Sequence, residues 1–212
     1  MSIFAIADIH GCYTQLFNLL KKIPLKDDDT LIFLGDYIDR GPRSKDVVTL
    51  VFDLLKSRPN TIALKGNHED MAKDALEIDN YAWIANGGNE TIANYKNEET
   101  LLYKHIELLD KLPLYHIIDN FLFSHTGGHV NKTFEEQTPD DFLWERNCIL
   151  SSKKSKMEDA GYKIIFGHTP MKKVFTTMSG RICIDTGVCF GNKLSCIQLP
   201  EMNLYEELTE EE

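Results

Sequence analysis

The stretch LIFLGDYIDRG, residues 31–41, carries the strongest indication of the fold. Its leading apolar residues are too few for a helix, and a glycine, two aspartates and an arginine follow them. This pattern is typical of a buried strand that ends in a charged loop. The strand delivers Asp36, Asp39 and Arg40 to one edge of a sheet, where charges are usually paired with one another or bound to metal. A salt-bridged turn would also explain this segment taken alone.

Five other short apolar runs end in the same way, in side chains that can bind metal or phosphate. They deliver Asp8 and His10, Asn67 and His68, His125, His168, and Asp185. Open α/β sheets bind their ligands beyond the carboxyl ends of strands, so these side chains are expected to share one site. A lone histidine after a strand is more often a hydrogen-bonded core residue, and we assign that role to His105, His116 and His129.

The apolar periodicity predicts helices over residues 12–23 and 46–56, which alternate with the first strands and favour a parallel sheet covered on both faces. Helical signals from about 70 to 112 predict an insertion. The later runs, at 115–118, 121–124, 163–166, 174–177, 182–184 and 194–199, predict a second, largely antiparallel sheet. The predicted fold class is therefore α/β, with two sheets and helices outside them.

The composition predicts one soluble cytoplasmic domain over residues 1–200. Residues 201–212 contain six acids and no base out of a net charge of −10, which predicts an acidic, solvated C-terminal tail. An acidic chain lacks the basic surface of a nucleic-acid binder, so no polymeric nucleic acid is expected as a partner. Five cysteines without a CxxC pair argue against disulfides, and no signal peptide or long apolar run predicts a membrane partner. We expect a monomer.

The strand-end residues predict a pair of metal ions. Oxygen and imidazole ligands without sulfur favour manganese, iron or zinc. Two ions ~3.5–4 Å apart could share one carboxylate, and Asp36 is the central candidate. Asp8 and Asp36 would leave a charge of about +2 on two divalent ions, which attracts an anion, and a bridging water whose pKa falls toward ~7 could attack phosphorus as hydroxide.

Hydrolysis of a phosphomonoester also needs a proton for the leaving oxygen and a cation for the phosphoryl oxygens. His68 is not needed as a metal ligand and suits the first role, with Asp39 holding its ring. Arg40 suits the second role because its guanidinium can bind two oxygens at once.

The motifs DIHG (8–11), GDYIDRG (35–41), GNHE (66–69), SHTGG (124–128) and GHTP (167–170) occur in an order and spacing that resemble the PPP phosphoprotein phosphatases among the calcineurin-like metallophosphoesterases. The resemblance runs from Asp8 to about Leu199. It implies a two-sheet β sandwich flanked by helices and a two-metal site usually reconstituted with manganese.

Carried over position by position, the resemblance assigns two ligand sets that share one aspartate. Asp8, His10 and Asp36 would hold one metal, and Asp36, Asn67, His125 and His168 the other. Asp39 and His68 would form the general-acid pair, Arg40 would bind phosphate, and Asn67 would also contact the substrate.

Four further stretches, WIANGGNET (83–91), LWERN (143–147), GHTP and IDTGVCFGNKLSCIQLP (184–200), resemble the small bacterial and phage-type serine/threonine phosphatases. In that subgroup an arginine placed like Arg146 is a second phosphate clamp, although pairing of Arg146 with Glu145 is an alternative. The eukaryotic enzymes have HGG in place of SHTGG and a longer C-terminal segment, so their regulatory and toxin-binding properties are not implied.

The sequence therefore predicts a manganese-dependent phosphoprotein phosphatase of broad specificity that also hydrolyses small phosphoesters. The alternative is a symmetrical dinucleoside tetraphosphate hydrolase, which would have aromatic stacking faces in its cleft. Tyr81, Trp83, Tyr95 and Trp144 are the candidates for such faces. A third hypothesis is an inactive metal-binding scaffold, and the intact His68 and Arg40 argue against it.

Overall fold

A computed structural model, which describes residues 1–78 and 81–209, contains two five-stranded sheets in the described part of the chain. Their strands, in chain order, are β1 (Ile3–Ile6), β2 (Thr30–Phe33), β3 (Thr61–Ala63), β4 (Tyr115–Ile118), β5 (Phe121–Ser124), β6 (Lys163–Phe166), β7 (Phe175–Thr176), β8 (Ile182–Cys183), β9 (Lys193–Leu199) and β10 (Asn203–Leu208). Apolar side chains from both sheets form one buried cluster, so the sheets pack face to face. This confirms the predicted two-sheet α/β fold.

The first sheet has the order β10-β9-β1-β2-β3, and its strands β1, β2 and β3 are parallel as predicted. The prediction that residues 194–199 belong to the second sheet is wrong. Strand β9 instead runs antiparallel to β1, with Cys196 opposite Ile6. Its side chains are buried almost throughout, which is what a central position in a covered sheet requires.

The prediction of a solvated acidic tail is wrong for residues 203–208, which form the edge strand β10 along β9. Lysines neutralise two of its acids, with Lys22 Nζ 2.5 Å from Glu207 and Lys193 Nζ 2.9 Å from Glu206. The ring of Tyr205 also packs on Phe4, 6.2 Å between centroids. Lysines from a neighbouring helix and from β9 thus offset the local excess of negative charge. Residues 210–212 lie outside the described part.

The second sheet has the order β4-β5-β6-β8-β7 and is mixed rather than largely antiparallel. Only its two edge pairs, β4 with β5 and β7 with β8, are antiparallel, while β5, β6 and β8 are parallel. Parallel neighbours need a crossover connection, and residues 125–162 provide one between β5 and β6. The short apolar runs alone did not reveal this connection.

The helices cover the outer faces of the sheets. They are α1 (Tyr13–Lys22), α2 (Ser44–Ser57), α3 (Asn67–Ile78), α4 (Asn89–Asn94), α5 (Glu99–Asp110), α6 (Pro139–Leu143), α7 (Asn147–Leu150) and α8 (Lys156–Asp159), with a wide turn at Ile84–Gly88 and short tight turns at Phe134–Glu136 and Val188–Phe190. The first two match the predicted helices, and α3 to α5 fill the region of the predicted insertion. Within the described residues no helix combines the length and apolar character needed to cross a bilayer.

Six parallel strands end at one edge of the sandwich. Strands β1, β2 and β3 of the first sheet and β5, β6 and β8 of the second are each followed by a predicted site residue. Hydrogen bonds join the two sets of loops, because His125 Nδ1 donates to the Leu34 carbonyl at 2.9 Å and the His168 N–H donates to Asp8 at 2.9 Å. The fold therefore brings the predicted residues of both sheets to one place.

Candidate active site

The backbone at this edge is unusual. Of the nine non-glycine residues with positive φ in the described chain, six are predicted site residues: Asp8 (53°), His10 (46°), Asp36 (56°), Asp39 (73°), Arg40 (65°) and His168 (67°). Left-handed backbone at residues other than glycine costs on the order of 1–3 kcal/mol each, and it persists where the surrounding structure holds it. Such conformations concentrate at functional sites, and here all six lie in the loops that follow β1, β2 and β6.

One group of ligand atoms lies between the two sheets. His125 Nε2 is 2.9 Å from Asn67 Oδ1, 3.0 Å from His168 Nδ1 and 3.5 Å from Asp36 Oδ1. Because His125 Nδ1 donates its proton to the Leu34 carbonyl, its Nε2 presents a lone pair to this group. Four of the predicted ligands of the second metal thus converge.

The charge state of these residues fits a metal ion. Burial lowers the pKa of His125 and brings that of His168 to about 2, which favours the neutral imidazole, the form that binds metal. Two nitrogen lone pairs 3.0 Å apart repel each other unless a cation or a proton lies between them. The arrangement of these donors therefore suits a divalent ion.

A second group lies on the other side of Asp36. Its Oδ2 is 3.4 Å from His10 Nε2 and 3.9 Å from His68 Nε2, and His10 Nδ1 lies 2.8 Å from the Ile38 carbonyl. Burial opposes ionisation of Asp36, yet the neighbouring imidazoles of His125, His68 and His10 hold its pKa well below the usual range. Asp36 thus offers one oxygen to each group, as a bridging ligand would.

Asp8 lies at the wall of the site rather than inside either compact group. Both of its oxygens accept the His168 N–H, at 2.9 and 3.0 Å. Burial, Asp185 and Asp36 raise the pKa of Asp8 well above its usual range, and burial raises that of Asp185 to about 6. His68 takes the corresponding place in the second group, and the assignment of Asp8 as a metal ligand stays a prediction.

The predicted general-acid pair is in contact. His68 Nδ1 lies 2.7 Å from Asp39 Oδ2, and since a carboxylate only accepts, His68 donates from Nδ1 and directs Nε2 toward Asp36. Trp83 Nε1 donates to both oxygens of Asp39, at 2.9 and 3.0 Å, and Thr91 Oγ1 donates at 2.7 Å. The ring of His68 is therefore held from behind by a fully hydrogen-bonded carboxylate.

Trp83, Thr91 and Glu69 are the positioning residues that the sequence reasoning missed. Glu69 is fully buried and accepts the N–H groups of Asp36, Tyr37 and Gly66, so it fixes the loop after β2 against the loop after β3. Burial raises its pKa to about 7. The signals were present, since Trp83 and Thr91 begin and end WIANGGNET and Glu69 closes GNHE.

The four aromatic candidates for the cleft wall differ in burial and in position. Trp83 and Tyr95 are buried, 2% and 1% exposed, and cannot stack on a ligand. Tyr81 is exposed outside the cavity lining, whereas Trp144, 43% exposed, lies on the cavity wall. One of the four therefore offers a stacking face at the site.

A polar cavity of about 90 Å³ opens over the two ligand groups, and both predicted phosphate-binding arginines line it. Arg40 Nη1 lies 2.7 Å from His10 Nε2, and Arg146 Nη1 is 3.4 Å from Thr169 Oγ1. Glu145 accepts the backbone N–H of Arg146 rather than its guanidinium, so the contacts of that side chain favour the clamp over the Glu145 pairing. Two cations thus face the candidate metal centre.

The family model for calcineurin-like phosphoesterases matches residues 1–200. The chain belongs to the calcineurin-like phosphoesterase family. It is a metallophosphoesterase, and divalent metals are the usual cofactors of this family. Phosphoester hydrolysis is the chemistry that the grouped donors and arginines serve.

The relatives of this metallophosphoesterase include bis(5'-nucleosyl)-tetraphosphatase PrpE [asymmetrical] of Bacillus cereus (strain Q1), which is 28% identical over 94% of this chain and 91% of its own length. Among solved structures, a candidate diadenosine tetraphosphatase superposes with a TM-score of 0.75 at 21% identity, covering 100% of this chain and 95% of its own. A serine/threonine phosphatase of Saccharomyces cerevisiae gives 0.71 at 18%, covering 100% and 81%. The two structures support the fold.

Proposed function

We propose that the protein hydrolyses dinucleoside tetraphosphates and cleaves them asymmetrically, into a nucleoside triphosphate and a nucleoside monophosphate. The observation that carries this proposal is Trp144, an exposed aromatic face on the wall of the cavity that also holds Arg40 and Arg146. A nucleotide needs a stacking surface beside cations for its phosphates. The names of the Bacillus relatives support the same substrate class and the asymmetrical cleavage.

The size of the polar cavity restricts what can enter it. At about 90 Å³ it suits a phosphate group, whereas sites for whole small molecules are ~300–1,000 Å³. Arg40 and Arg146 would bind the phosphates, and the bases would remain outside the metal centre. This arrangement lets one centre act on a phosphate that belongs to a much larger substrate.

The residues around Asp36 would hold the metal ions. His125, His168 and Asn67 would serve one ion, and His10 and Asp8 would serve the other. When bound, two divalent ions would supply Lewis-acid stabilisation of phosphoryl charge and a nucleophile at neutral pH. The chain itself would supply the orientation of the phosphates, through its two arginines, and the proton for the leaving oxygen.

His68 is the proposed proton donor. Its Nδ1 proton is committed to Asp39, so in the doubly protonated ring Nε2 is the atom that can give a proton to a leaving oxygen, after which the ring is neutral. Asp39 holds the ring orientation and Trp83 and Thr91 hold Asp39, all without contact to solvent. The geometry of the donor is therefore set before a substrate arrives.

The acid pair favours a second candidate function, the hydrolysis of phosphoserine or phosphothreonine in proteins. The leaving group of a phosphoanhydride is a phosphate with a pKa of about 6, which departs without much help. A serine alkoxide is far more basic and needs the proton that His68 can donate. The buried His68–Asp39 pair is thus the feature that a protein phosphatase would need more.

A substrate panel separates the two candidates. The manganese-loaded protein is assayed with diadenosine tetraphosphate, phosphoserine peptides and p-nitrophenyl phosphate, and products are separated by anion-exchange chromatography. We expect the kcat/KM for diadenosine tetraphosphate to exceed that for the peptides at least tenfold, with ATP and AMP as products. Two molecules of ADP would instead show symmetrical cleavage, and preference for the peptides would establish the second candidate.

A further inference from the structure

A second and larger cavity lies next to the polar one, with a volume of about 540 Å³. Its walls include Pro170 and Phe190, and Lys172 and Asn192 also line it. This volume falls within the ~300–1,000 Å³ of small-molecule sites. No residue of this cavity has a role in the chemistry described above, so its size calls for a different explanation.

The cavity is a preformed feature of the fold. Gly187 is at φ 68°, and a Cβ there would lie 3.4 Å from Pro170 Cβ and 3.7 Å from Phe190 Cδ2, so a glycine keeps the space between the two apolar side chains open. Asn192 Nδ2 donates to the carbonyls of Thr186 at 2.6 Å and Lys172 at 3.2 Å. These bonds join the two segments that form the walls.

Phe190 presents its ring to the solvent. It is 63% exposed, although a large apolar side chain gains free energy from burial. The Arg40 guanidinium carbon lies 5.4 Å from its ring centroid, within range of a cation–π contact. The exposed ring of Phe190 therefore contacts an arginine that also lines the polar cavity.

We propose that this cavity binds the base of one nucleotide of the substrate, stacked on Phe190, while the adjoining phosphates reach Arg40. This inference rests on the proposed function and assigns a subsite to it. The two aromatic faces, Trp144 near Arg146 and Phe190 near Arg40, match a ligand that carries a base at each end of a polyphosphate. Lys172 adds positive charge beside the base site.

The first test compares Phe190→Ala with Phe17→Ala, which alters an exposed phenylalanine on α1, outside both cavities. Stacking of a base on an aromatic ring is worth ~1–3 kcal/mol, so the ratio of kcat/KM for diadenosine tetraphosphate to that for p-nitrophenyl phosphate should fall about tenfold in Phe190→Ala. Phe190→Tyr should restore the ratio, and Phe17→Ala should not change it. An unchanged ratio in Phe190→Ala would overturn the proposal.

The second test does not require that diadenosine tetraphosphate be a substrate. Hydrolysis of p-nitrophenyl phosphate by the wild type is inhibited with AMP and with ribose 5-phosphate, which lacks the base. We expect AMP to bind about tenfold more tightly, and this advantage to disappear in Phe190→Ala. Equal inhibition would show that no base binds here, even if the tetraphosphate is cleaved. If the substrate panel shows no preference for diadenosine tetraphosphate while AMP still binds more tightly than ribose 5-phosphate, the proposed function is overturned and the base subsite is supported.

Discussion

The polar cavity, lined by Arg40, and the larger apolar cavity, lined by Phe190, differ in construction. The polar cavity is formed by residues that follow β2, β3 and β6, together with Asn86, Trp144 and Arg146, and its candidate metal ligands are buried. The apolar cavity is formed by two neighbouring segments, residues 170–172 and 186–192, around an exposed phenylalanine. The polar cavity is lined by charged and metal-binding types of side chain, whereas the apolar cavity presents an exposed aromatic ring.

This difference separates chemistry from substrate choice. The polar side chains are fixed by two sheets, by left-handed backbone and by buried partners such as Glu69 and Asp39, so loss of a candidate metal ligand there should affect every substrate. The apolar cavity is formed by loop residues, which tolerate amino-acid substitution better than the residues at strand ends do. Each prediction below tests whether an effect belongs to one cavity alone.

The largest effect is expected from Asp36→Asn, because this carboxylate serves both ligand groups. A metal ion contributes several kcal/mol to transition-state stabilisation, so kcat/KM should fall on the order of 1,000-fold, equally for diadenosine tetraphosphate and p-nitrophenyl phosphate. Titration calorimetry with Mn²⁺ should show weaker binding. The control is Asp53→Asn on the exposed face of α2. Ordinary affinity for two ions in the Asp36 variant would contradict the bridging role.

The next largest effect is expected from His68→Asn. Loss of a general acid costs ~10²–10⁴-fold, and phosphoserine peptides should lose this much, while the tetraphosphate and the aryl phosphate lose far less because their leaving groups are more acidic. His116→Asn on β4 is the matched control. An equal loss on all three substrates, together with weaker Mn²⁺ binding, would show that His68 is a metal ligand.

Asp185→Asn changes a buried carboxyl group that accepts the N–H of Gly187, a wall residue of the apolar cavity. Burial raises the pKa of Asp185 to about 6, so the folded state favours the protonated form and stability is lost as pH rises through this value. The variant keeps an oxygen for the Gly187 N–H, which lies 2.9 Å away. In urea denaturation with a chelator, its free energy of unfolding should exceed that of the wild type by up to about 3 kcal/mol at pH 8.

The same gain should shrink as the pH falls toward 4, where the wild-type carboxyl is protonated in the folded state and partly protonated in the unfolded state. Asp119→Asn, in the exposed turn between β4 and β5, is the control and should show no such dependence. A gain of equal size at pH 4 and pH 8 would mean that the benefit comes from packing and that charge plays no part.

The smallest effect is expected from Trp83→Phe, which keeps an aromatic side chain, although a smaller one, and removes the N–H that donates to Asp39. A hydrogen bond to a charged group is worth ~1.5–3 kcal/mol, and the loss of only part of it in the transition state should lower kcat for phosphoserine peptides about tenfold. The KM and the rate on p-nitrophenyl phosphate should change little. Tyr81→Phe, at an exposed site, is the control; loss on the aryl phosphate as well would contradict a role through the acid pair.

The strand-end pattern predicted most of the polar cavity. Short apolar runs followed by aspartate, asparagine or histidine identified the ends of β1, β2, β3, β5, β6 and β8, because buried strands and charged loops leave a local signal. The pairing of β9 with β1 left no such signal. Strand partners far apart in sequence are selected by the packing of whole faces, so residues 194–199 were placed in the wrong sheet and 203–208 were taken for a tail.

The role of an aromatic residue was equally hidden from the sequence. Trp83 and Trp144 cannot be distinguished by residue type, yet Trp83 is buried against Asp39 and Trp144 is exposed beside Arg146. The burial of a side chain depends on which distant segments cover it. Phe190 lies in the stretch at 184–200, whose sequence indicates a family resemblance and no role for this ring. Its exposure next to Arg40 depends on how the turn at 188–190 meets the loop after β2.

By itself, the sequence determined the kind of chemistry, because residue type and the order of short strands fix which donors reach a sheet edge. Only the tertiary structure decided which donors meet, since Asp8 was held at the wall and His68 was brought to Asp36 by contacts between distant loops. It also decided that a second, apolar cavity adjoins the first. The physical reason is that distances between side chains far apart in sequence are set by packing of the two sheets, which no local pattern encodes.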